Sequence, residues 1–212
     1  MEKKYELTEE TRTIGKHVLH RIKALKSFDN VKKGELGGFV EKEDNLSHKG
    51  NCWVANDAKV YCNAKVFDNA QVCDDARVFG DAKVSCNAKI YNQASVYGYA
   101  HIYCNARVYG CAEVKNDAQV YDNAKVYADA QVSEDAHVYG NAKVYGRADI
   151  YGCAKVYGAA EVHGWADIYG YAKVYGNAEI YENTEIHGNA WVYGNAEIYG
   201  IRRIGGDEEV DR

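Results

Sequence analysis

The sequence predicts an all-β chain: a three-sided solenoid of stacked coils, 18 residues per coil, closed at its N-terminal end by a β cap. Three observations carry this prediction. From Trp53 to Ala196 one hexapeptide repeats 24 times without insertion or deletion, and strict short-period repetition is the mark of a stacked array. The second position is Val or Ile in all 24 and the sixth is Ala in 23, Thr184 being the exception. Two residues apart in extended chain, these side chains point the same way and form one apolar wall. The fourth position is Gly in 12 and the fifth is Asn or Asp in 16, residues that accept the positive φ of a tight corner.

One corner per hexapeptide closes a triangle after three, so the array holds 24/3 = 8 regular coils. At about 4.8 Å per coil it is roughly 38 Å long. Residues 1–52 precede the array and read as its cap, which a solenoid needs to cover an open strand edge and an open core. Within them His17–Leu25 alternates as a strand does, and Lys32–Gly38 is rich in turn residues. Val40 to Leu46 is one six-residue step and Leu46 to Val54 is eight, so residues 36–52 are an irregular first coil. Residues 53–200 are the β-helix proper. Residues 201–212, rich in Arg, Asp and Glu, are expected to be a charged tail.

A net charge of −5 gives no nucleic-acid signature. Proline is absent, as an array needs when every coil offers N–H groups to the next. No apolar run matches a signal peptide or a membrane span, so a cytoplasmic location with reduced thiols is expected. The seven cysteines show neither a CxxC motif nor a metal-ligand grouping along the chain. Cys86 and Cys104, 18 residues apart, fall in neighbouring coils at one corner, within reach of a disulfide.

The motif [Ile/Val]-x-Gly-Asn-Ala-x resembles the hexapeptide repeat of left-handed parallel β-helix proteins, a superfamily of many acyl- and acetyltransferases and the γ-type carbonic anhydrases. The wording YGNAKV, with Leu36-Gly-Gly-Phe-Val40 and Gly50-Asn-Cys-Trp-Val54, is similar to bacterial and phage proteins described only as hexapeptide-repeat transferases or polymer-forming proteins. The resemblance implies left-handed coils and a closed homotrimer. The superfamily acyltransferases carry a loop breaking out of the coils and a catalytic His. This array has no such loop, which leaves His163 and His187 as the catalytic candidates. His101 and His137 lie 36 apart, as zinc ligands do in γ-carbonic anhydrases, but the third ligand would fall at Ala142. No metal or cofactor is expected.

The 18-residue period sorts outward residues into columns. The first face sets Lys89, Arg107, Lys125 and Lys143, followed by Glu161, beside Tyr91, Tyr109, Tyr127, Tyr145 and His163. The second turns acidic beyond residue 112, and the third carries an unbroken ladder from Tyr103 to Tyr193. Asn or Asp is lost at five successive corners, Arg147, Cys153, Ala159, Trp165 and Tyr171. Arg147 should sit over Trp165, with Lys143, Tyr145, Glu161 and His163 adjoining: a cation, two aromatics, a His and a carboxylate suited to a small ligand or partner. The expected function is a non-catalytic binding or scaffold rod that presents Tyr/Lys ladders to a protein, glycan or nucleotide. Its basic and acidic faces would associate with copies of itself. An acyltransferase with an inter-subunit site, and a phage-type decoy sequestering a host protein or signalling nucleotide, are the alternatives.

Overall fold

The computed structural model describes residues 2–211. It is a parallel β-solenoid of about ten coils. Each hexapeptide contributes a two-residue rung from its first and second positions, such as Lys125–Val126. Rungs 18 residues apart pair in parallel: Lys125 lies between Arg107 and Lys143, and Val126 between Val108 and Val144. Three sheets of twelve, nine and nine strands result, one per face, and the predicted columns are their registers. Three backbone bonds tie each hexapeptide to the next coil: Lys125 N to Ala142 O (2.9 Å), Tyr127 N to Val144 O (3.0 Å) and Asp129 N to Gly146 O (2.8 Å).

The second and sixth positions line the core. Ala124, Val126 and their equivalents along the array are fully buried. Thr184 is buried too, and its hydroxyl donates to the Tyr181 carbonyl at 2.8 Å, so no polar group is left unpaired there. At the corners the structure divides two roles that the sequence reading merged. Positive φ belongs to the fourth position alone: Gly146 at 70°, Cys62 and Ala128 at 59°. The fifth-position Asn serves a different end. Asn69, Asn87, Asn105, Asn123 and Asn141 form a side-chain ladder, each amide donating to the carbonyl oxygen of the next at 3.2 Å, as stacked amides do in cross-β structures.

The array runs past both expected ends. Residues 201–212, read as a charged tail, carry two further rungs: Arg203–Ile204 pairs with Glu185–Ile186, and Glu209–Asp211 with Trp191–Tyr193. Ile204 and Val210 keep the 18-residue phase of Ile186 and Val192, a phase hidden by the charges around them. At the other end β1 (Tyr5–Ile14), β2 (His17–Ala24) and β3 (Leu36–Val40) form an antiparallel sheet, and β3 then pairs in parallel with Lys59–Val60. The sequence reading missed β1, whose polar residues conceal the β-branched Thr8, Thr11 and Thr13. Asn45 bridges the irregular coil, its Nδ2 donating to the carbonyls of Cys62 (3.1 Å) and Ala64 (2.9 Å). Tyr5, Ile22 and Ala24 join the continuous core, Phe28 meets Trp53 edge-on at 5.5 Å, and the buried Lys4 Nζ donates to Cys52 O at 2.8 Å.

Candidate functional site

The ladders form on all three faces. On the first, Tyr91, Tyr109, Tyr127 and Tyr145 stack at 4.8 Å between centroids, within 7° of parallel. On the third, the stack is continuous from Tyr103 to Tyr193 at 4.8–5.1 Å. Each inner ring has both faces covered by its neighbours, so the ladder offers ring edges and hydroxyls. Several hydroxyls reach a carboxylate in the next coil, Tyr181 to Glu197 at 2.7 Å and Tyr97 to Glu113 at 3.1 Å. Sugars and bases bind by stacking on a free ring face, which the inner rungs lack.

Free faces occur at the corners. The structure brings the predicted cluster together: the Arg147 guanidinium lies 4.4 Å from the Trp165 ring, His163 stacks on Tyr145 at 4.6 Å, and Lys143 Nζ pairs with Glu161 at 2.6 Å. The Glu161 bond raises the Lys143 pKa. Burial, reinforced by the Glu161 charge, pushes the Tyr145 hydroxyl up to about 12. Trp165 is 56% exposed. Along the rest of the basic column, Lys89, Arg107 and Lys125 make no ion pair among the described residues.

A neighbouring groove escaped the sequence reading. Between the second and third faces Cys153, Lys155, Tyr171, Lys173, Asn189 and Trp191 line an open concavity of about 480 Å³. Lys173 Nζ lies 4.2 Å from the Trp191 ring, and Tyr171 is 65% exposed. The signal was present: Cys153 and Tyr171, 18 apart, both belong to the run of corners that loses Asn.

The second face has a polar fault. Asp149, Asp167 and Glu185 are in register, and Asp149 Oδ1 is buried without a hydrogen-bond partner. Burial first, then the Asp167 charge, raises the Asp149 pKa. A raised pKa in the folded state means that ionising Asp149 works against folding. The penalty is present at neutral pH and disappears once pH falls below the unfolded value of about 3.9. With solvent screening, Asp149→Asn is expected to add about 0.5 kcal/mol, or about 1–2 °C in Tm at pH 7. Calorimetry should show that gain vanishing at about pH 3.5.

The two catalytic candidates are ladder rungs. His163 is stacked between Tyr145 and Tyr181, with Nε2 3.1 Å from Glu179 Oε1; His187 stacks on Tyr169 at 5.3 Å. His101 and His137 occupy one sheet with Gln119 between them. Cys86 and Cys104 are both free. One grouping contradicts the linear reading of the cysteines: His17, Glu41 and Cys62 converge where the cap meets the first coil. His17 Nδ1 is engaged by Glu41 at 2.8 Å, leaving Nε2 and the Cys62 sulfur to face a cation. A catalytic or structural zinc takes at least three protein ligands, so this set does not fit one.

A family model described as YdcK Beta solenoid repeat matches residues 70–85 and 118–134. No match is found among curated proteins. Among the described residues no helix is long and apolar enough to cross a membrane. Unbroken registers on three faces, a Val/Ala core and the matched repeat agree: the chain is a β-solenoid repeat protein.

Proposed function

We propose that this chain is a non-catalytic binding rod that docks a protein partner through the exposed aromatics of its C-terminal third. The observation that carries the reading is the placement of Trp165, Tyr171 and Trp191 on adjacent corners and faces, with Arg147 and Lys173 against two of the rings. Trp, Tyr and Arg dominate the energetics of protein interfaces. An unbroken run of 24 hexapeptides without a protruding loop supports a scaffold over an enzyme with a built cleft.

Self-association belongs to the same reading. The basic first face, from Lys89 to Lys143, complements the acidic second face at Asp149, Asp167 and Glu185. A side-by-side oligomer, a closed trimer by the resemblance, would place one against the other.

The test is affinity capture with the wild type and with a Trp165→Ala/Tyr171→Ala variant. Each hot-spot truncation costs about 2 kcal/mol or more, so the double variant should lose on the order of 100-fold or more in affinity for whatever protein the wild type retains. Equal retention by a variant that melts like the wild type would refute the docking site. Arg107→Glu with Lys125→Glu should dissociate the oligomer in sedimentation without altering capture.

A further inference from the structure

Cys62 occupies a corner of the first regular coil, in the left-handed conformation at φ 59°. Its backbone N–H donates to Glu41 Oε2 at 2.6 Å. Its sulfur lies 3.7 Å from His17 Nε2, and His17 Nδ1 lies 2.8 Å from Glu41 Oε1. The three residues come from the first rung, the end of β3 and the start of β2, so only the seating of the cap brings them together. Burial pushes the Glu41 pKa up, but the bonds from the His17 ring and the Cys62 N–H outweigh it and hold the carboxyl below its usual range. A carboxylate accepting from Nδ1–H fixes the tautomer that turns the Nε2 lone pair toward the thiol. The order sulfur, imidazole, carboxylate is the arrangement in which a thiol gains a positioned base.

Other cysteines lack this setting. Cys52 is buried against Lys4, and the exposed Cys111 has only Gln93, at 3.9 Å. Among the described residues no sulfur other than that of Cys62 contacts a histidine. Cys62 is half-buried, and with Ile14 and Phe79 it packs against the cluster of Leu19, Phe39 and Tyr61. An apolar flank beside a carboxylate favours an uncharged reactant over an anion.

We propose that Cys62 is a reactive thiol, served by His17 as base and by Glu41 as positioning residue, that adds covalently to small uncharged α,β-unsaturated carbonyl compounds. The thiol proton passes to His17 Nε2 as sulfur bonds to the β-carbon. The π-electron pair moves to the α-carbon, which takes the proton back from Nε2. Every atom is retained and no further reactant is needed. This site stands apart from the docking surface and does not depend on it.

The test uses N-ethylmaleimide, an uncharged acceptor of this class, at substoichiometric level on the intact chain at neutral pH, with labelling of each cysteine read by peptide mass spectrometry. Cys62 should label on the order of tenfold faster than the more exposed Cys111, and that advantage should vanish in urea. His17→Gln should remove it while Cys111 keeps its rate; Glu41→Gln should reduce it. Buried Cys52, unlabelled while the cap is seated, reports that each variant is folded. Labelling of native Cys62 no faster than Cys111 overturns the proposal without need of any variant. So does an advantage that survives in urea, or one that survives His17→Gln with Cys52 still protected.

Discussion

Val126→Asp is expected to abolish folding of the middle of the solenoid, leaving either no cooperative melt or a Tm at least 10 °C lower. Val126 is fully buried and in register with Val108 and Val144, so the new carboxylate would face three coils of aliphatic wall. Losing the burial of a Val costs about 1.5–3 kcal/mol. An unpaired buried carboxyl adds several kcal/mol even when it takes up a proton to avoid its charge. Together these approach the whole stability of a typical domain, about 5–15 kcal/mol. Each coil touches only its neighbours, so the damage should divide the array instead of spreading evenly. Two separate transitions in a circular-dichroism melt would be its signature. Lys125→Asp, one residue away and outward-facing, should cost no more than about 0.5 kcal/mol. If both variants melt like the wild type, the inward assignment of the second position is wrong.

The architecture was legible in the sequence because its determinants are local and repeated. Val at the second position and Ala at the sixth fix the inward face, and the 18-residue period follows from counting corners, so every column from Lys59 to Trp191 could be written without coordinates. The Arg147–Trp165 stack came from the same arithmetic. What stayed hidden depends on contacts outside the period. Ile204 and Val210 kept the phase, but their charged surroundings read as a tail. β1 has no apolar alternation, since it lies at the outer edge of its sheet, where most of its side chains meet water. His17, Glu41 and Cys62 are separated by 24 and 21 residues, with an irregular coil between them, and no spacing rule joins them. The covered faces of the tyrosines were likewise beyond reach: composition reveals a ladder, but only the measured parallel planes show that its rings leave no free face for a ligand.

The seating of the cap should prove as sensitive as the core, and Gly38 is the place to see it. Gly38→Val is expected to lower Tm by about 5–10 °C and to make the chain aggregate as concentration rises. Neither Gly37 nor Gly38 needs a positive φ; their constraint is close approach. A Cβ on Gly38 would sit 2.6 Å from the Ala58 carbonyl oxygen and 2.7 Å from Val54 Cγ1, one of them backbone that cannot rotate aside. Overpacking of this kind costs about 1–3 kcal/mol, and a chain of this size loses about 2–4 °C in Tm per kcal/mol. The larger consequence is topological. β3 is the strand through which the antiparallel cap continues into the parallel sheet. If it lifts, the edge at Lys59–Val60 is left unpaired with the core open above it, and an exposed edge recruits other chains. Gly34→Ala separates crowding from strain, because a Cβ there meets nothing within 4 Å while its φ of 89° is unfavourable for alanine. That variant should lose about 1 kcal/mol without aggregating. Trp53, 4% exposed beneath the cap, reports the seating directly in a Trp165→Phe/Trp191→Phe background. Its emission should shift to the red in Gly38→Val and stay unchanged in Gly34→Ala. A Gly38→Val chain that keeps buried Trp53 emission and the wild-type Tm would show that the cap does not close the array through β3.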